Sequence, residues 1–287
     1  MTIKGTLTAN ASRILTFNNT QKLTFSGNTL PSGSTENSLR IFTLAGFGDV
    51  DFNGAMTDTT NGRWLAINKT NTGVFRFNGN NTYTGNTTVA AGALLVNGTT
   101  SGQGSFIVNS GTLGGRGIIG LSSTSSVSLT ATYAVLAPGD GGTGTLTIDG
   151  AGNNEGAGLV LNQGTLVFDL DGDESDKIVL TNFAPGGGGG SSTAGVGGLQ
   201  FTFLGTVDHS RRVYELIEFA STPGIAINQF ALSPESIEAG WEGAFAYNGN
   251  TLTFITISEA GSMKLFLYSA GMAAFWSLRR KTLRNAL

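Results

Sequence analysis

Short units of the form Gly-x-Leu recur along the chain, and they constrain its fold more than any other feature. The units are Gly5-Thr6-Leu7, Gly92-Ala93-Leu94, Gly111-Thr112-Leu113, Gly144-Thr145-Leu146 and Gly164-Thr165-Leu166. The last four are separated by 19, 33 and 20 residues, spacings that fit one coil, or one coil with a loop, in a stacked repeat. Apolar and polar residues alternate after the later units, as in strands with one buried face. The pattern predicts an all-β fold of stacked coils.

The composition supports short strands joined by tight turns. Glycine contributes 44 of the 287 residues, prolines number 5, and charged residues make up 12% of the chain. Hydrophobic residues make up 39%, which argues against disorder. The absence of cysteine excludes disulfides, thiolate zinc sites and cysteine nucleophiles. The net charge is −3 and no basic stripe precedes the extreme C-terminus, so we expect no nucleic-acid partner, which would need a cationic surface.

Apolar residues in the first part of the chain alternate along short segments and are predicted to face inward. They are Leu15, Phe17, Leu23, Phe25, Phe42, Leu44, Phe52, Leu65, Ile67, Phe75 and Phe77. Asn-Gly pairs such as Asn53-Gly54 and Asn78-Gly79 are typical of turns that tolerate positive φ angles. Stacked Asn or Thr side chains at equivalent turns could form hydrogen-bonded ladders between coils, although turn chemistry alone is the simpler interpretation.

The segment 67–98 carries the densest pattern, and it resembles the autotransporter-associated β-strand repeat of bacterial surface proteins. The matching residues are Lys69, Gly73, Phe77, Gly79, Asn81, Thr82, Tyr83, Thr84, Gly85, Thr87, Val89, Gly92, Leu94 and Val96. Asn71 stands at the first glycine of the pattern, and residues 111–117 and 136–139 are similar to segments that commonly follow this repeat. The resemblance implies a right-handed parallel β-helix (a β-solenoid) on a secreted or surface-attached protein, and no particular reaction.

The sequence divides into three parts. We expect residues 1–198 to form the parallel β-helix, with Gly/Asn-rich turns and with the glycine run at 186–190 as an excursion from it. Residues 199–257 lose the Gly-Thr-Leu units but keep strand-like segments, and are predicted to form terminal rungs and a β cap. A cap is expected because the bare end of a β-helix is an exposed edge that would pair with another chain. Residues 258–287 change character.

The C-terminal segment resembles a PEP-CTERM sorting signal, in which a short motif precedes an apolar helix and a basic cluster. The residues that carry the resemblance are Glu259, Ala260, the apolar run 265–278, Arg279, Arg280 and Lys281. Ser-Glu-Ala stands where Pro-Glu-Pro is expected. The apolar run is 14 residues long, shorter than the roughly 17–25 residues that span a bilayer, and the cations would stay cytoplasmic. We expect a short apolar helix in a membrane, with an amphipathic or packed C-terminal helix as the alternative.

The N-terminus begins within strand-like sequence. No apolar h-region of a secretory signal follows Met1. Because the repeat belongs to exported proteins, we expect the chain to be a fragment of a longer precursor or to carry a misplaced start, with a cytosolic protein as the remaining alternative. The expected location is therefore secreted or at the cell surface and outer envelope.

One acidic run provides a candidate for metal binding. Its members are Asp169, Asp171, Asp173, Glu174 and Asp176. Alternating carboxylates suit Ca²⁺, but the EF-hand spacing fails because Leu180 stands where the bidentate glutamate is required. The alternatives are a polar turn between two strands and a glycosidase pair, which needs two carboxyl groups about 5–10 Å apart. Calcium coordinated by Asp169, Asp171, Asp173 and Asp176 is the only cofactor that the sequence suggests.

No catalytic motif stands out. His209 is the only histidine and is more simply a solvated loop residue, and no Gly-x-Ser-x-Gly nucleophile elbow is present. The sequence predicts a non-catalytic extracellular or cell-surface scaffold or adhesin, with polysaccharide, extracellular matrix or other cells as partners. The alternatives are a carbohydrate-active β-helix enzyme, distinguished by carboxylates in one exposed groove, and a self-assembling fibre subunit, distinguished by an uncapped N-terminal rung.

Overall fold

The predicted parallel β-helix is confirmed by the structure, a computed structural model that describes residues 1–33, 37–154, 158–183, 189–207, 210 and 212–257. Its strands are β1 (Thr2–Ile3), β2 (Leu7–Ala9), β3 (Arg13–Thr16), β4 (Leu23–Phe25), β5 (Thr29–Pro31), β6 (Ser38–Ala45), β7 (Asp49–Phe52), β8 (Arg63–Lys69), β9 (Val74–Phe77), β10 (Asn80–Asn81), β11 (Thr87–Val89), β12 (Ala93–Val96), β13 (Thr99–Gln103), β14 (Phe106–Val108) and β15 (Gly111–Gly115).

The second half continues in the same way. Its strands are β16 (Ile118–Leu121), β17 (Val127–Leu129), β18 (Ala134–Pro138), β19 (Thr145–Asn154), β20 (Leu159–Leu161), β21 (Thr165–Asp171), β22 (Glu174–Ser175), β23 (Lys177–Phe183), β24 (Gly190–Ser191), β25 (Leu199–Leu204), β26 (Val213–Glu218), β27 (Phe230–Leu232), β28 (Gly243–Asn248) and β29 (Thr251–Thr256). A 3₁₀ turn covers Ile227–Gln229, and the short helix α1 covers Pro234–Glu238.

Most strands belong to three long sheets. The first sheet has the order β1-β4-β7-β9-β12-β15-β18-β21-β25-β27, the second β10-β13-β16-β19-β23-β26-β29-β28, and the third β24-β20-β17-β14-β11-β8-β6-β3. Strands β2 and β5 pair separately. Neighbours within the long sheets lie one rung apart and are parallel until the C-terminal end. From β8 to β26 each rung therefore contributes one strand to each long sheet.

The rungs stack in register around a continuous apolar interior. In the first sheet Phe75 pairs with Leu94 and Leu94 with Leu113, so the rungs here are 19 residues long. All three side chains are fully buried. The residues predicted to face inward are buried, or in the case of Leu15, Phe17 and Leu23 packed against the core. Period-two alternation thus located the interior face correctly.

The glycines of the Asn-Gly turns are required for a reason other than the predicted one. Gly54, Gly79 and Gly98 do not have positive φ angles. A Cβ on Gly79 would lie 2.4 Å from the carbonyl oxygen of Gly54, and one on Gly98 would lie 2.2 Å from that of Gly79. These distances are far below contact, so each glycine makes room for the backbone of the preceding rung. The expectation of positive φ was wrong at these positions, although Gly62 does have a φ of 73°.

The C-terminal end of the apolar column is covered. Strand β29 pairs antiparallel with both β26 and β28, which ends the parallel stacking in the second sheet. Helix α1 begins at the N-cap Ser233, whose side chain accepts a hydrogen bond from the backbone N–H of Ser236. Trp241, Phe245 and Phe254 lie among the aromatic residues that close the interior. Antiparallel strands and bulky rings thus replace the next rung.

Candidate functional site

A cluster of charged side chains lies on the outer face of the first sheet. Arg76 on β9 forms ion pairs with Asp49 and with Asp140, the latter at 2.9 Å between Nε and Oδ2. Asp51 lies 3.7 Å from the Arg76 guanidinium and 3.0 Å from the ammonium of Lys22. Alternation on β7 and β9 turns these residues outward, because Val50, Phe52, Phe75 and Phe77 between them are buried. The result is a partly buried network that joins four rungs.

The loop 138–144 is clamped to this network. The carboxylate of Asp140 also accepts a hydrogen bond from Asn97 Nδ2 at 2.9 Å, and its backbone carbonyl accepts one from Arg116 at 2.7 Å. Partial burial alone would raise the pKa of the Asp140 carboxyl, but the hydrogen bonds from Arg76 and Asn97 and the nearby guanidinium charges hold it below its ordinary value. The loop is therefore held by a charged, ionised anchor.

An asparagine ladder runs along the turn beside the clamp. Asn78 Nδ2 donates to Asn53 Oδ1 at 2.8 Å, and Asn97 Nδ2 donates to Asn78 Oδ1 at 3.1 Å. The predicted ladder between rungs is confirmed for these three residues. Asn97 Nδ2 also donates to the Asp140 carboxylate. The ladder thus joins the loop 138–144 to the earlier rungs against which it lies.

A pocket of about 170 Å³ lies between this loop and the outer face of the first sheet. It is lined by Leu95, Ala137, Pro138, Gly139, Asp140, Gly141, Val167, Asp169, Asp176 and Leu204. The floor is apolar because strands β12, β18, β21 and β25 each turn one aliphatic side chain outward here. Three carboxylates stand around this floor. The pocket could hold a small group with an apolar side and several hydrogen-bond donors.

Asp176 is the most buried of these carboxylates, with 2% of its surface exposed. Its Oδ1 accepts a hydrogen bond from the backbone N–H of Gly144 at 2.7 Å, and its Oδ2 accepts one from the backbone N–H of Asp169 at 2.8 Å. Burial raises the pKa of Asp176 to about 6, while these two hydrogen bonds oppose the shift. Both oxygens bind backbone, so Asp176 ties the loop 138–144 to β21.

The other residues of the acidic run do not converge on Asp176. Asp171 pairs through its backbone with Glu174 in the antiparallel β21–β22 hairpin, and Asp173 forms an exposed ion pair with Arg212. Within the described ranges, no group of three or more His, Asp or Glu side chains is placed to hold a metal ion. The predicted polar turn between two strands is confirmed. Calcium binding by Asp169, Asp171, Asp173 and Asp176 remains a prediction that this geometry does not support.

Lys69 lies inside the β-helix at the start of the dense sequence pattern. Its ammonium is fully buried and donates to the backbone carbonyls of Thr70 and Asn71 at 2.8 Å and of Ala91 at 3.1 Å. It also lies 4.7 Å from the centre of the Phe75 ring. Burial lowers the pKa of Lys69 to about 8. The three acceptors match the three ammonium donors, so Lys69 joins two turns on successive rungs.

Several predicted residues lie outside the described part of the chain. They are the sorting-segment residues Glu259, Ala260, Arg279, Arg280 and Lys281, and also His209. Among the residues that the structure does describe, no helix combines the length and the apolar character needed to cross a membrane. The apolar C-terminal helix therefore stays a prediction.

One segment of the chain, which includes Lys69, matches a known family. Residues 67–96 match the family model described as passenger-associated transport repeat. The match covers the strand β9, the ladder residue Asn78, the buried Tyr83–Thr87 hydroxyl pair at 2.6 Å, and the strands β11 and β12. No curated protein matches the chain. The matched segment forms about one and a half rungs of a β-helix that extends well beyond it on both sides.

Sequence reasoning missed the clamp between Arg76 and Asp140. The two residues are 64 positions apart, and nothing in the pattern around either indicates the other. A turn follows Pro138, where Gly139 has a φ of 88°. The path of the loop after this turn depends on how four rungs stack. Only the recurring Gly-x-Leu spacing, which sets that stacking, could have suggested which turns lie close together.

Proposed function

We propose that this protein is a non-catalytic, passenger-type scaffold or adhesin that is secreted or displayed at the cell surface. The passenger-associated transport repeat at 67–96, embedded in a parallel β-helix, is the observation that supports this proposal. The description of that repeat associates it with exported passenger segments. A β-helix provides such a segment with a long, regular outer surface.

The mechanism of such a scaffold is passive. The stacked rungs bury one continuous apolar column, and the fold contains no disulfide to be formed after export. The ladders and the Arg76 clamp add contacts between rungs that do not depend on a ligand. The outer faces are then free to contact polysaccharide, extracellular matrix or other cells, and the segment 258–287 would contact a membrane and be subject to sorting.

A carbohydrate-active enzyme is the second candidate, because three carboxylates line one outer pocket. Asp140, Asp169 and Asp176 meet the criterion of carboxylates gathered in one groove. Asp140 is engaged by Arg76 and Asn97, however, and both oxygens of Asp176 accept backbone hydrogen bonds. A general acid and a nucleophile or base must be available to the glycosidic bond. We therefore favour the scaffold over the enzyme.

A head-to-tail fibre is less compatible with the architecture. The antiparallel strands β28 and β29, helix α1 and the aromatic cluster cover the C-terminal end of the column. A second molecule cannot continue the parallel stacking there without displacing them. This end therefore behaves as a cap within the described part of the chain.

Surface shaving of the natural host tests the proposed location. Intact cells are treated with trypsin and probed with an antibody against the β-helix, with a cytoplasmic protein as the protected control. Loss of the antigen while the control survives, or recovery of the protein from the medium, is the expected result. Protection equal to that of the control would contradict the proposal. The intact mass of the recovered protein shows whether residues C-terminal to Ser258 have been removed.

The enzyme alternative needs a separate assay. The purified chain and its Asp169→Asn variant are incubated with neutral and acidic polysaccharides, and new reducing ends are measured. The scaffold proposal predicts no release by either protein. Release by the native chain that the variant abolishes would establish the enzyme instead.

A further inference from the structure

By strand alternation, the positions that the eight described strands of the third sheet turn outward hold no charged residue. The charged residues of these strands alternate with the outward positions and share the register of core residues; they are Arg13, Arg40, Arg63 and Lys69. One outward row runs from strand to strand through direct register partners. The row is Ile14, Thr43, Asn68, Thr88, Ile107, Ser128, Val160 and Ser191. Three of its side chains, Ile14, Ile107 and Val160, are aliphatic, and the other five are small and polar. A sheet face that points away from the core usually carries charged residues, so their exclusion over eight rungs calls for a reason.

The N-terminal part of this face is apolar and exposed. Ile14, Leu39, Ile41 and Trp64 have 71%, 48%, 40% and 45% of their surface exposed. Register places Leu39 directly beside Trp64 and Ile41 beside Ala66, so the residues form one patch over β3, β6 and β8. We call these four residues the Trp64 patch. Exposed aliphatic and aromatic side chains gathered in this way mark contact surfaces.

The two other long sheets differ from the third. The outer face of the first sheet carries Asp51 and Arg76 in adjacent register positions. The outer face of the second sheet carries Lys177, which forms ion pairs with Glu215 and Glu218 at 2.8 and 2.7 Å. A partner that covered either of those faces would have to remove charges from water. The third sheet is the face that can be covered without that cost.

We propose that the third sheet is a docking face for a second copy of this chain, with the two Trp64 patches packed together across a two-fold axis. An isologous contact needs a self-complementary surface, and an uncharged face of apolar and small polar side chains meets its own copy without like-charge repulsion.

The size of the face sets the strength of the contact. Eight strands about 4.8 Å apart make a face about 35 Å long. Its width is that of short strands, so the buried area falls at or below the roughly 800 Å² per partner of a standard interface. The dimer is therefore weak, with a dissociation constant in the micromolar range, and it would become effective where many copies are displayed together.

Sedimentation of the full chain over a range of concentrations tests the proposal. The native chain is expected to shift from monomer to dimer, and the double variant Leu39→Thr/Trp64→Thr to dissociate about tenfold or more readily. Ile118→Thr is the matched control, because Ile118 is an outward residue of the second sheet with 41% exposure. It should leave the dimer unchanged. Threonine suits a strand, and far-ultraviolet circular dichroism confirms folding of each variant.

Site-specific crosslinking gives an independent readout, because the chain has no cysteine of its own. Thr43→Cys on the third sheet should form an intermolecular disulfide under mild oxidation, whereas Thr147→Cys on the second sheet should not. A chain that remains monomeric overturns the proposal. So does a dimer that persists in the double variant, or equal crosslinking at both positions, since these results would assign association to another face or to residues 258–287. None of these outcomes bears on the surface location proposed above.

Discussion

The repeat rungs and the C-terminal cap both cover the apolar interior of the β-helix, but they do so differently. In the 19-residue rungs at Phe75, Leu94 and Leu113, backbone approaches backbone, and glycines such as Gly79 and Gly98 leave the room. In the cap, side chains fill the space that a further rung would occupy, and rings of Phe203 and Phe254 lie 4.7 Å apart. The rungs thus stack closely because their glycines lack side chains, whereas the cap closes the interior with large aromatic side chains.

This difference has consequences for cooperativity. A rung contacts only its two neighbours, so its stability depends on local register. The cap contacts the last parallel rung through β26 and covers the apolar column through its aromatic side chains. Damage to the cap should therefore open the C-terminal end first, whereas damage to a rung should weaken the helix in its middle.

Removing a cap ring should have the largest effect. Phe254 is fully buried and contacts the rings of Phe203 and Phe245. Phe254→Ala is expected to cost about 3–5 kcal/mol of unfolding free energy. Hydrogen exchange should show early loss of protection in β26 to β29, with the rungs at β9 to β15 still protected. Uniform loss of protection throughout the chain would show that cap and rungs are not separable.

Adding a methyl group to a rung glycine should have the next largest effect. A Cβ at Gly98 would lie 2.2 Å from the Gly79 carbonyl oxygen, whereas a Cβ at Gly5 meets no atom within 4 Å. Gly98→Ala is expected to cost about 1–3 kcal/mol or more through backbone displacement, and Gly5→Ala less than about 0.5 kcal/mol. Denaturant unfolding measures both. Equal effects at the two positions would show that close rung stacking is not the reason for the glycines.

The sequence predicted the buried residues of the rungs better than the contacts between side chains on their outer faces. Leu94 and Val96 follow from alternation alone, and both are buried. The Asn-Gly turns were located correctly, but the role of Gly98 depends on a carbonyl one rung away. The Arg76–Asp140 clamp depends on the path of a loop across four rungs, and nothing local specifies it. A period-two pattern predicts which face of a strand is buried. Contacts between outward side chains depend on which rungs lie next to each other, and the pattern within one strand does not specify this.

Lys69 provides a third test, within the rungs. Lys69→Met keeps an unbranched side chain over Phe75 but leaves the carbonyls of Thr70, Asn71 and Ala91 without their buried donor. We expect a loss of about 1–3 kcal/mol at neutral pH. Lys177→Met removes exposed ion pairs and should cost less than about 1 kcal/mol. If the two variants unfold at the same denaturant concentration, the hydrogen bonds of Lys69 between rungs do not stabilise the fold more than a surface ion pair does.

The last effect depends on pH, and it concerns Asp176, which lies just before β23. Burial raises the pKa of Asp176 to about 6, above its unfolded value, so the folded protein binds the extra proton more readily between about pH 4 and 6. The contribution of this carboxyl to stability is therefore present at low pH and is lost as the pH rises through 6. A shift of this size corresponds to about 2–3 kcal/mol at most.

Comparing the native chain with Asp176→Asn isolates this contribution. Asparagine can accept a hydrogen bond from Gly144 or from Asp169 with its single carbonyl oxygen, but it does not titrate. The stability advantage of the native chain over the variant should shrink between pH 4 and 7. This difference is measured as unfolding free energies of both proteins at several pH values. An NMR titration of the Asp176 carboxyl gives its pKa directly. An advantage that grows with pH would mean that the hydrogen bonds from Gly144 and Asp169 outweigh burial, and that the loop 138–144 is anchored by an ionised carboxylate at both ends.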